Sequence, residues 1–283
     1  MNPENMSCFF SGLTIILMKI DSVFDEGSSR EDTYLIGENI FGVFDGANSV
    51  NKFFDESGRP GGLIAASIVR DEFAANKGTL KEMVANANNT LRKKMISGNI
   101  DVSNKANLWC TTAAVVRLKK DTFEWLQISD SIILVVYKDD SFKLMLIDYD
   151  HDKDVMILWK RLAQEKTKNI HGIIWKKIPH IRLKSNETYG LINGEKKLSK
   201  FIMAGEESLE NVKHIIFFTD GLILPKENPE DEDDFGTFVN LFLEGGLKNV
   251  LQYVRNMEKD DPECWKYPRY KQYDDIAAIS ISF

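Results

Sequence analysis

The chain has 283 residues, a formal net charge of −7 and a pI near 5.3. Nucleic acids and acidic membrane surfaces are bound through basic surfaces, so this charge balance argues against either as the main partner. Cys8, Cys110 and Cys264 are odd in number and widely spaced, which fits a reducing compartment and argues against a disulfide framework or a zinc site. The length favours a single domain over residues 1–283.

The first apolar segment covers residues 8–20. No basic residue precedes it and no cleavage site of small residues follows it, so a signal peptide is not expected. A helix that crosses a membrane needs roughly 20 apolar residues, and this segment is shorter. We therefore predict a strand that enters the core of a cytoplasmic protein.

The next part of the chain predicts a hairpin and two helices. Two apolar stretches, 34–36 and 40–44, are separated by the turn-forming residues 37–39, which is typical of a hairpin. Pro60 opens a helical pattern that Gly78 closes. Apolar residues spaced by three and four then indicate a second helix over residues 80–95.

Residues 112–147 predict four consecutive strands, 112–118, 123–128, 132–137 and 142–147. Their links are short, and short links require antiparallel neighbours, so we expect a meander. Further along the chain, strands are predicted at 214–219 and 276–282 and a helix at 246–258. Blocks of antiparallel strands separated by helices indicate sheets packed together with helices outside.

Two segments do not follow this pattern. Residues 149–211 are mixed in character and basic in the middle, with Trp159 and Trp175, and we interpret them as a flap or an insertion. Residues 230–234 are five consecutive acidic residues, and such a run is usually a solvated loop.

Three apolar runs end in an aspartate followed by a small residue: Asp45–Gly46, Asp130–Ser131 and Asp220–Gly221. Runs rich in Ile, Val and Phe are typical of central strands, so their ends tend to meet at one rim of a sheet. Carboxylates gathered there would repel one another unless a cation lay between them. A divalent metal is the simplest cation for that place.

Two more acidic pairs flank strands, Glu31–Asp32 before residues 34–36 and Asp274–Asp275 before residues 276–279. One aspartate at a strand end is usually a turn or a cap. Five acidic sites beside strands are more than turns require, and together they favour a metal centre. Because all the donors are oxygens, the set suits hard Mg²⁺ or Mn²⁺ rather than zinc.

The order of these motifs resembles the metal-dependent serine/threonine protein phosphatases of type 2C (PPM), and more closely their bacterial-type members. The resemblance covers about residue 21 to the C-terminus. It implies an α+β fold, a four-layer α/β/β/α sandwich of two antiparallel sheets flanked by antiparallel helix pairs. It also implies hydrolysis of phosphoserine and phosphothreonine in proteins, by attack of a water that bridges two divalent metals. The expected partner is a phosphorylated protein, and the expected state is a monomer.

The resemblance also implies roles for individual residues. Asp45 would bridge two Mg²⁺ or Mn²⁺ ions, with Glu31 and the Gly46 carbonyl on one ion. Asp220 and Asp274 would hold the other ion. In some members the aspartate that matches Asp130 joins the one that matches Asp220 at a weaker third metal.

Two roles concern water and substrate. Asp32 would orient the metal-bound water. Members of the family usually grip the substrate phosphate with an arginine four residues before the glutamate of the Glu–Asp pair, and this chain has Gly27 there. Arg30 is the expected replacement, because a guanidinium holds phosphate through two hydrogen bonds. An exposed arginine in a polar loop is the equal alternative.

Other departures keep two further functions open. Ala47 stands where many eukaryotic members have a histidine proposed as general acid, and Ser129 replaces a usual glycine. Gly27 and Ala47 together would suit a phosphatase-like regulatory or binding protein with weak or no turnover. The insertion at 149–211 would also allow a phosphatase for a small phosphorylated molecule.

Overall fold

The computed structural model describes residues 6–11, 14–146 and 151–283, with side chains from Met18 onwards. Two antiparallel sheets face each other, and helices cover their outer faces. The predicted α+β sandwich is therefore confirmed.

The first sheet has six strands in the order β1, β2, β13, β12, β9, β10. These are β1 (Met6–Ser11), β2 (Thr14–Asp25), β9 (Ile132–Tyr137), β10 (Phe142–Leu144), β12 (Val212–Phe218) and β13 (Ile276–Ser282). The second sheet has five strands in the order β11, β8, β7, β4, β3. These are β3 (Thr33–Ile36), β4 (Ile40–Phe44), β7 (Ala113–Leu118), β8 (Thr122–Ile128) and β11 (Met203–Ser208). A short ribbon pairs β5 (Gly46–Ala47) with β6 (Cys110–Thr111).

The central strands are apolar on both faces because both faces are buried. In β4, Phe41 and Val43 pack between the two sheets against residues of β9, β12 and β13. Ile40 and Phe44, at the alternate positions of the same strand, pack outwards against helices. Successive side chains of a strand point to opposite faces of the sheet, so one apolar run contributes side chains to two cores.

Helices cover both outer faces. On the five-stranded sheet, α1 (Gly61–Ala75) and α2 (Leu80–Ser97) pack against each other and share a core with β4, β7 and β8. The first of these helices ends at Asn76, which has a φ of 48°, and so it stops before the predicted Gly78.

On the six-stranded sheet, the segment α6 (Phe235–Asp260) is longer than the predicted 246–258 and is broken at Gly246, where φ is 70°. The Asn249 amide reaches the Leu241 carbonyl at 2.8 Å. In a straight helix these residues would lie about 12 Å apart along the axis, so the two halves of α6 turn sharply against each other.

The predicted meander is wrong at one link. Strands β7 and β8 pair, as do β9 and β10, but β8 and β9 belong to different sheets. Ser129, between them, adopts a left-handed φ of 62° and takes the chain from one sheet to the other. A short link therefore joins neighbours across the sandwich instead of neighbours within a sheet.

Two smaller differences concern strand ends. The segment predicted as one strand over residues 8–20 forms two strands that pair with each other, β1 and β2, with residues 12 and 13 outside the described part. The predicted strand 142–147 ends at Leu144, and residue 147 lies outside the described residues.

The insertion segment, residues 149–211, is described from His151 onwards and is largely helical. It contains α3 (Lys153–Gln164), α4 (Ile170–Trp175) and α5 (Ile178–Leu183), followed by β11. Trp159 is buried in a small core of its own, and its Nε1 donates to the Cys264 carbonyl at 2.7 Å. The segment is thereby attached to the chain that leads into β13. In the described part of the chain, no helix combines the length and the apolar character needed to cross a membrane.

Candidate metal centre

Strand register brings the acidic residues to one rim of the sandwich. In the first hairpin Thr33 pairs with Phe44, so Asp32 and Asp45 are the next residues on the two strands. In the other sheet Phe218 pairs with Ala278, and the Thr219 amide still bonds to the Ala277 carbonyl at 3.0 Å. The chain then leads to Asp220 after one strand and to the Asp274–Asp275 pair before the other.

A cleft of about 520 Å³ opens over this rim. Its acidic wall consists of the side chains of Glu31, Asp45, Asp130, Asp220 and Asp274, together with Gly46. Asp32 is buried directly beneath them and is electrostatically linked to Asp45 and Asp220. The structure thus brings together all the residues that the sequence assigned to metal binding and to orientation of water.

Asp275 fixes the loop that carries Glu31. Its Oδ2 accepts a hydrogen bond from the Glu31 amide at 2.7 Å, and its Oδ1 accepts one from the Ser29 amide at 3.2 Å. The loop also approaches the opposite chain closely at Gly27, where a Cβ atom would lie 2.4 Å from the backbone carbonyl carbon of Asp274. Position 27 therefore has no room for a side chain, and an arginine does not fit there.

Glycines allow the start of α1 to approach Glu31. A Cβ on Gly62 would lie 2.6 Å from Glu31 Oε1, and a Cβ on Gly46 would lie 2.4 Å from the Glu31 carbonyl oxygen. The backbone N–H groups of Asn48 and Gly62 donate to the Glu31 carboxylate. The positive end of the helix dipole is also close to this carboxylate.

Burial and mutual repulsion make the ionised cluster costly. Burial, and then the neighbouring carboxylates, raise the pKa of Asp45 and of Asp220 well above the usual range. Burial also raises the pKa of Glu31 and of Asp32 to about 7, although Lys271 opposes the rise at Glu31 and a Thr219 hydrogen bond opposes it at Asp32. A cluster of this kind requires cations if it is to stay ionised at neutral pH.

Lys271 supplies one of these cations. Its Nζ lies 2.6 Å from Asp274 Oδ1. Burial lowers the pKa of Lys271, but attraction to Asp274 and Asp45 outweighs that effect and raises the pKa above its ordinary value. One ammonium group balances only one negative charge of this cluster, so most of the charge is left for other cations.

The donor atoms fit Mg²⁺ or Mn²⁺. Three buried carboxylate oxygens have no hydrogen-bond partner among the described residues, Glu31 Oε1, Asp32 Oδ2 and Asp130 Oδ1. In that part of the chain, no three side chains of Asp, Glu, His or Cys lie in a group that could by itself hold a metal ion. Mg²⁺ is usually held by one or two carboxylates together with waters, and the Gly46 carbonyl is a further oxygen donor, so the arrangement suits such an ion.

The other wall of the cleft comes from the insertion segment. It contains His151, Arg182, Tyr189 and Trp175. The His151 ring stacks on the Tyr189 ring with 4.0 Å between centroids, and its Nε2 lies 3.9 Å from Asp130 Oδ2. The segment expected to be a flap or an insertion therefore encloses the acidic rim from the opposite side.

Arg30 is not brought to the cleft. Its side chain is 74% exposed, and its Nε lies 3.5 Å from Glu26 Oε2 in the same loop. The sequence interpretation also missed the lysines and arginines of the described chain that do line the cleft, Lys52, Lys271 and Arg182. The only signal for them in the sequence is indirect, because a phosphate site that lacks its usual arginine needs a cation from another segment.

No family model and no curated protein matches the sequence. Solved structures do match its fold. The serine/threonine phosphatase Stp1 from Staphylococcus aureus superposes with a TM-score of 0.58 at 14% identity, over 95% of this chain and 96% of that one. PppA, described as a key regulatory component of T6SS in Pseudomonas aeruginosa, gives 0.57 at 12% identity, over 94% and 98%.

The catalytic domain of the serine threonine protein phosphatase PstP, solved in complex with two manganese ions, gives a TM-score of 0.56 at 12% identity, over 94% of this chain and 97% of that one. Identities this low establish a shared fold. The chain therefore has the fold of these bacterial phosphatases along nearly its whole length.

Proposed function

We propose that the chain is a metal-dependent serine/threonine protein phosphatase of the bacterial type 2C group. One observation carries the proposal: acidic side chains from five separate segments converge at one rim of a fold shared with bacterial serine/threonine phosphatases. Neither the fold nor the carboxylates alone would support it, because folds host many functions and buried carboxylates can be structural.

We assign two Mg²⁺ or Mn²⁺ ions to the rim, held by Glu31, the Gly46 carbonyl, Asp45, Asp220 and Asp274. Asp130, whose Oδ1 has no partner among the described residues, is the ligand we assign to an optional third ion. When bound, such ions polarise phosphoryl oxygens and lower the pKa of water.

The remaining work falls to side chains of this chain. Asp275 holds the Glu31 loop in place through two backbone N–H groups. We assign Asp32 Oδ2, which is buried and has no partner among the described residues, to orient the attacking water.

A protein substrate is supported by the rim of the cleft. Phe54 and Trp175 lie there with large exposed surfaces, and Lys52 Nζ sits 5.5 Å from the Trp175 ring centroid. Such a rim suits the residues that flank a phosphoserine or phosphothreonine. We further propose a cytoplasmic monomer built as one domain over residues 1–283.

The test is hydrolysis of a phosphothreonine peptide by the purified protein in Mn²⁺ or Mg²⁺, with and without a chelator. We expect activity that the chelator abolishes. Asp45→Asn should lower the rate by roughly 10³-fold or more, since a metal supplies several kcal/mol of stabilisation to the transition state. Asp121→Asn, an exposed carboxylate on the β7–β8 turn, is the matched control.

The competing hypothesis is a regulatory or binding protein with little turnover. Gly27 and Ala47 favour it, because they remove two groups that would help catalysis. Mn²⁺ binding that Asp45→Asn abolishes, together with no hydrolysis of any phosphoester by the wild-type protein, would support that hypothesis and contradict the enzyme.

A further inference from the structure

The phosphate group of a substrate needs a cationic partner that the Glu31 loop does not provide. At Gly27 the Asp274 backbone occupies the place of a side chain. Arg30 is exposed to solvent and paired with Glu26. A phosphate monoester carries up to two negative charges, and proteins usually bind it with at least one arginine, lysine or backbone N–H cluster.

Arg182 lies on the opposite wall of the cleft. It is in α5, is half-buried, and lines the cleft together with Asp45, Gly46 and Ala47. One of its terminal nitrogens, Nη1, contacts Cys110 Sγ. The same sulfur lies 3.4 Å from the Ala47 carbonyl oxygen, and Ala47 pairs with Cys110 in the β5–β6 ribbon. One thiol therefore separates the guanidinium from the backbone that follows Asp45, a proposed metal ligand.

Most of the guanidinium is available to a ligand. An arginine has five N–H donors in a rigid fork. Within the described part of the chain, the side chain of Arg182 donates one hydrogen bond, and its acceptor is a thiol sulfur. Sulfur is a weak acceptor, whereas a phosphate oxygen forms a short, charge-assisted hydrogen bond with the same donor. None of the fully buried nitrogens without a partner belongs to Arg182, so its other nitrogens are accessible to solvent, and the residue itself lines the cleft.

The backbone that carries Arg182 is well anchored. The Tyr189 hydroxyl donates to the Ile181 carbonyl at 3.1 Å, and Ser185 Oγ donates to the Arg182 carbonyl at 2.8 Å. Lys105, which lies outside the insertion segment, donates to the Ser185 carbonyl at 2.6 Å. A side chain held on such a support keeps its position when substrate arrives, which a binding group requires.

We propose that Arg182 binds the phosphate group of the substrate, and that the insertion segment thereby supplies the phosphate-gripping guanidinium that position 27 has no room for. The proposal rests on the proposed phosphatase function. It makes the insertion segment part of the substrate site, and it assigns the site to phosphate monoesters rather than to diesters, whose single charge gains less from a guanidinium.

The experiment measures phosphate binding and turnover separately in Mn²⁺-loaded protein. Inorganic phosphate is titrated calorimetrically, and kcat and KM are measured with p-nitrophenyl phosphate. For Arg182→Met we expect the Kd of phosphate and the KM to rise roughly 10- to 100-fold, the range for a hydrogen bond to a charged group. Arg182→Lys keeps the positive charge and loses the forked set of donors, so its Kd and KM should lie between those of the wild type and of Arg182→Met. Mn²⁺ affinity should stay the same.

Arg161→Met is the matched control, because Arg161 lies in α3 of the same segment with an exposed side chain. A folded Arg182→Met variant with an unchanged phosphate Kd would overturn the proposal, as would a loss of phosphate binding in Arg30→Met and not in Arg182→Met. If the substitutions at 182 prevent folding, the wild-type protein is treated with phenylglyoxal and mapped by mass spectrometry. Phosphate should protect Arg182 from modification, and equal modification with and without phosphate would contradict the assignment.

The two proposals fail in distinguishable ways. If the protein binds phosphate through Arg182 in Mn²⁺ but has no hydrolytic activity, the proposed phosphatase function is contradicted and the proposed phosphate site is supported. If hydrolysis is normal and Arg182→Met does not change it, the proposed phosphate site is contradicted and the proposed phosphatase function is supported.

Discussion

Glu31→Gln should stabilise the metal-free protein, although it removes a proposed metal ligand. Burial, with a contribution from Asp275, raises the pKa of Glu31 from 4.5 to about 7 against the opposing effects of Lys271 and of the Asn48 and Gly62 N–H groups. One unit of pKa corresponds to about 1.4 kcal/mol, so keeping Glu31 ionised in the fold costs about 3 kcal/mol. The NH₂ group of glutamine is a buried donor that needs a new acceptor, which offsets roughly 1 kcal/mol of this. The expected net gain is about 2 kcal/mol.

The sign of the pH dependence follows from the raised pKa. The folded state binds the Glu31 proton more tightly than the unfolded state does. The contribution of this proton to stability is therefore complete below about pH 4.5 and is lost as the pH rises to about 7. The advantage of Glu31→Gln should be absent near pH 4.5 and complete at pH 8.

Thermal unfolding in the presence of a chelator provides the assay. A gain of about 2 kcal/mol corresponds to a rise in Tm of roughly 4 to 8 °C for a chain of this size. In Mn²⁺ the stability of the wild type should rise relative to that of the variant. An ion present at about 100 times its Kd adds about 2.7 kcal/mol to the free energy of unfolding of the wild type and less to that of the variant. Glu38→Gln, an exposed glutamate on the first hairpin, should change neither value. A Glu31→Gln variant that is less stable than the wild type at pH 8 without metal would refute the reasoning.

Three further substitutions test the surroundings of the rim. Lys271→Met removes the ammonium group that lies 2.6 Å from Asp274, so the metal-free protein should lose stability. Mn²⁺ should then bind more tightly, as measured by calorimetry, because the ammonium no longer competes with the ion. Weaker Mn²⁺ binding would show instead that Lys271 assists the ion. Ser129→Gly should raise the free energy of unfolding by about 1 kcal/mol, because φ at this position is 62°, and no gain in denaturant melts would contradict this. Gly62→Ala should cost about 1 to 3 kcal/mol and weaken Mn²⁺ binding, since its Cβ would lie 2.7 Å from the Ala47 nitrogen; an unchanged Mn²⁺ titration would argue against Glu31 as a ligand.

The parts of the fold that the sequence predicted depend on local signals. The first hairpin and the pair α1 and α2 were predicted because apolar periodicity and turn residues act within a few positions of one another. The meander failed at Ser129 because a short link is compatible with two outcomes, a hairpin or a crossing between packed sheets. Only tertiary packing decides between them. The break at Gly246 is of the same kind, since a glycine in a helical pattern is compatible with a continuous helix or a turn.

The acidic rim was predictable for a different reason. Each carboxylate is tied to the end of a buried strand, so strand pairing carries the residues to their places. Arg182 and Lys271 are not tied in this way, because Arg182 lies in the helix α5 and Lys271 lies in the loop before β13. The number of residues that separates them from the acidic motifs in the sequence does not predict how far from the carboxylates they lie in the fold. Sequence patterns therefore predicted that the carboxylates converge and missed the cations that line the same cleft.

Gly27 relates the position of the carboxylates to that of the cations. Its lack of a side chain lets the loop before Glu31 lie directly on the Asp274 backbone, and Asp275 then bonds to the amides of that loop. An arginine at position 27 would displace this contact and the Glu31 carboxylate with it. The close packing that orders the proposed metal ligands is thus incompatible with a phosphate-binding side chain on the same loop. If the cleft binds phosphate, the guanidinium has to come from the facing wall, and Arg182 is the arginine that lines that wall beside Asp45, Gly46 and Ala47. Phosphate binding should then depend on the insertion segment, whereas Mn²⁺ binding should depend on the strand ends.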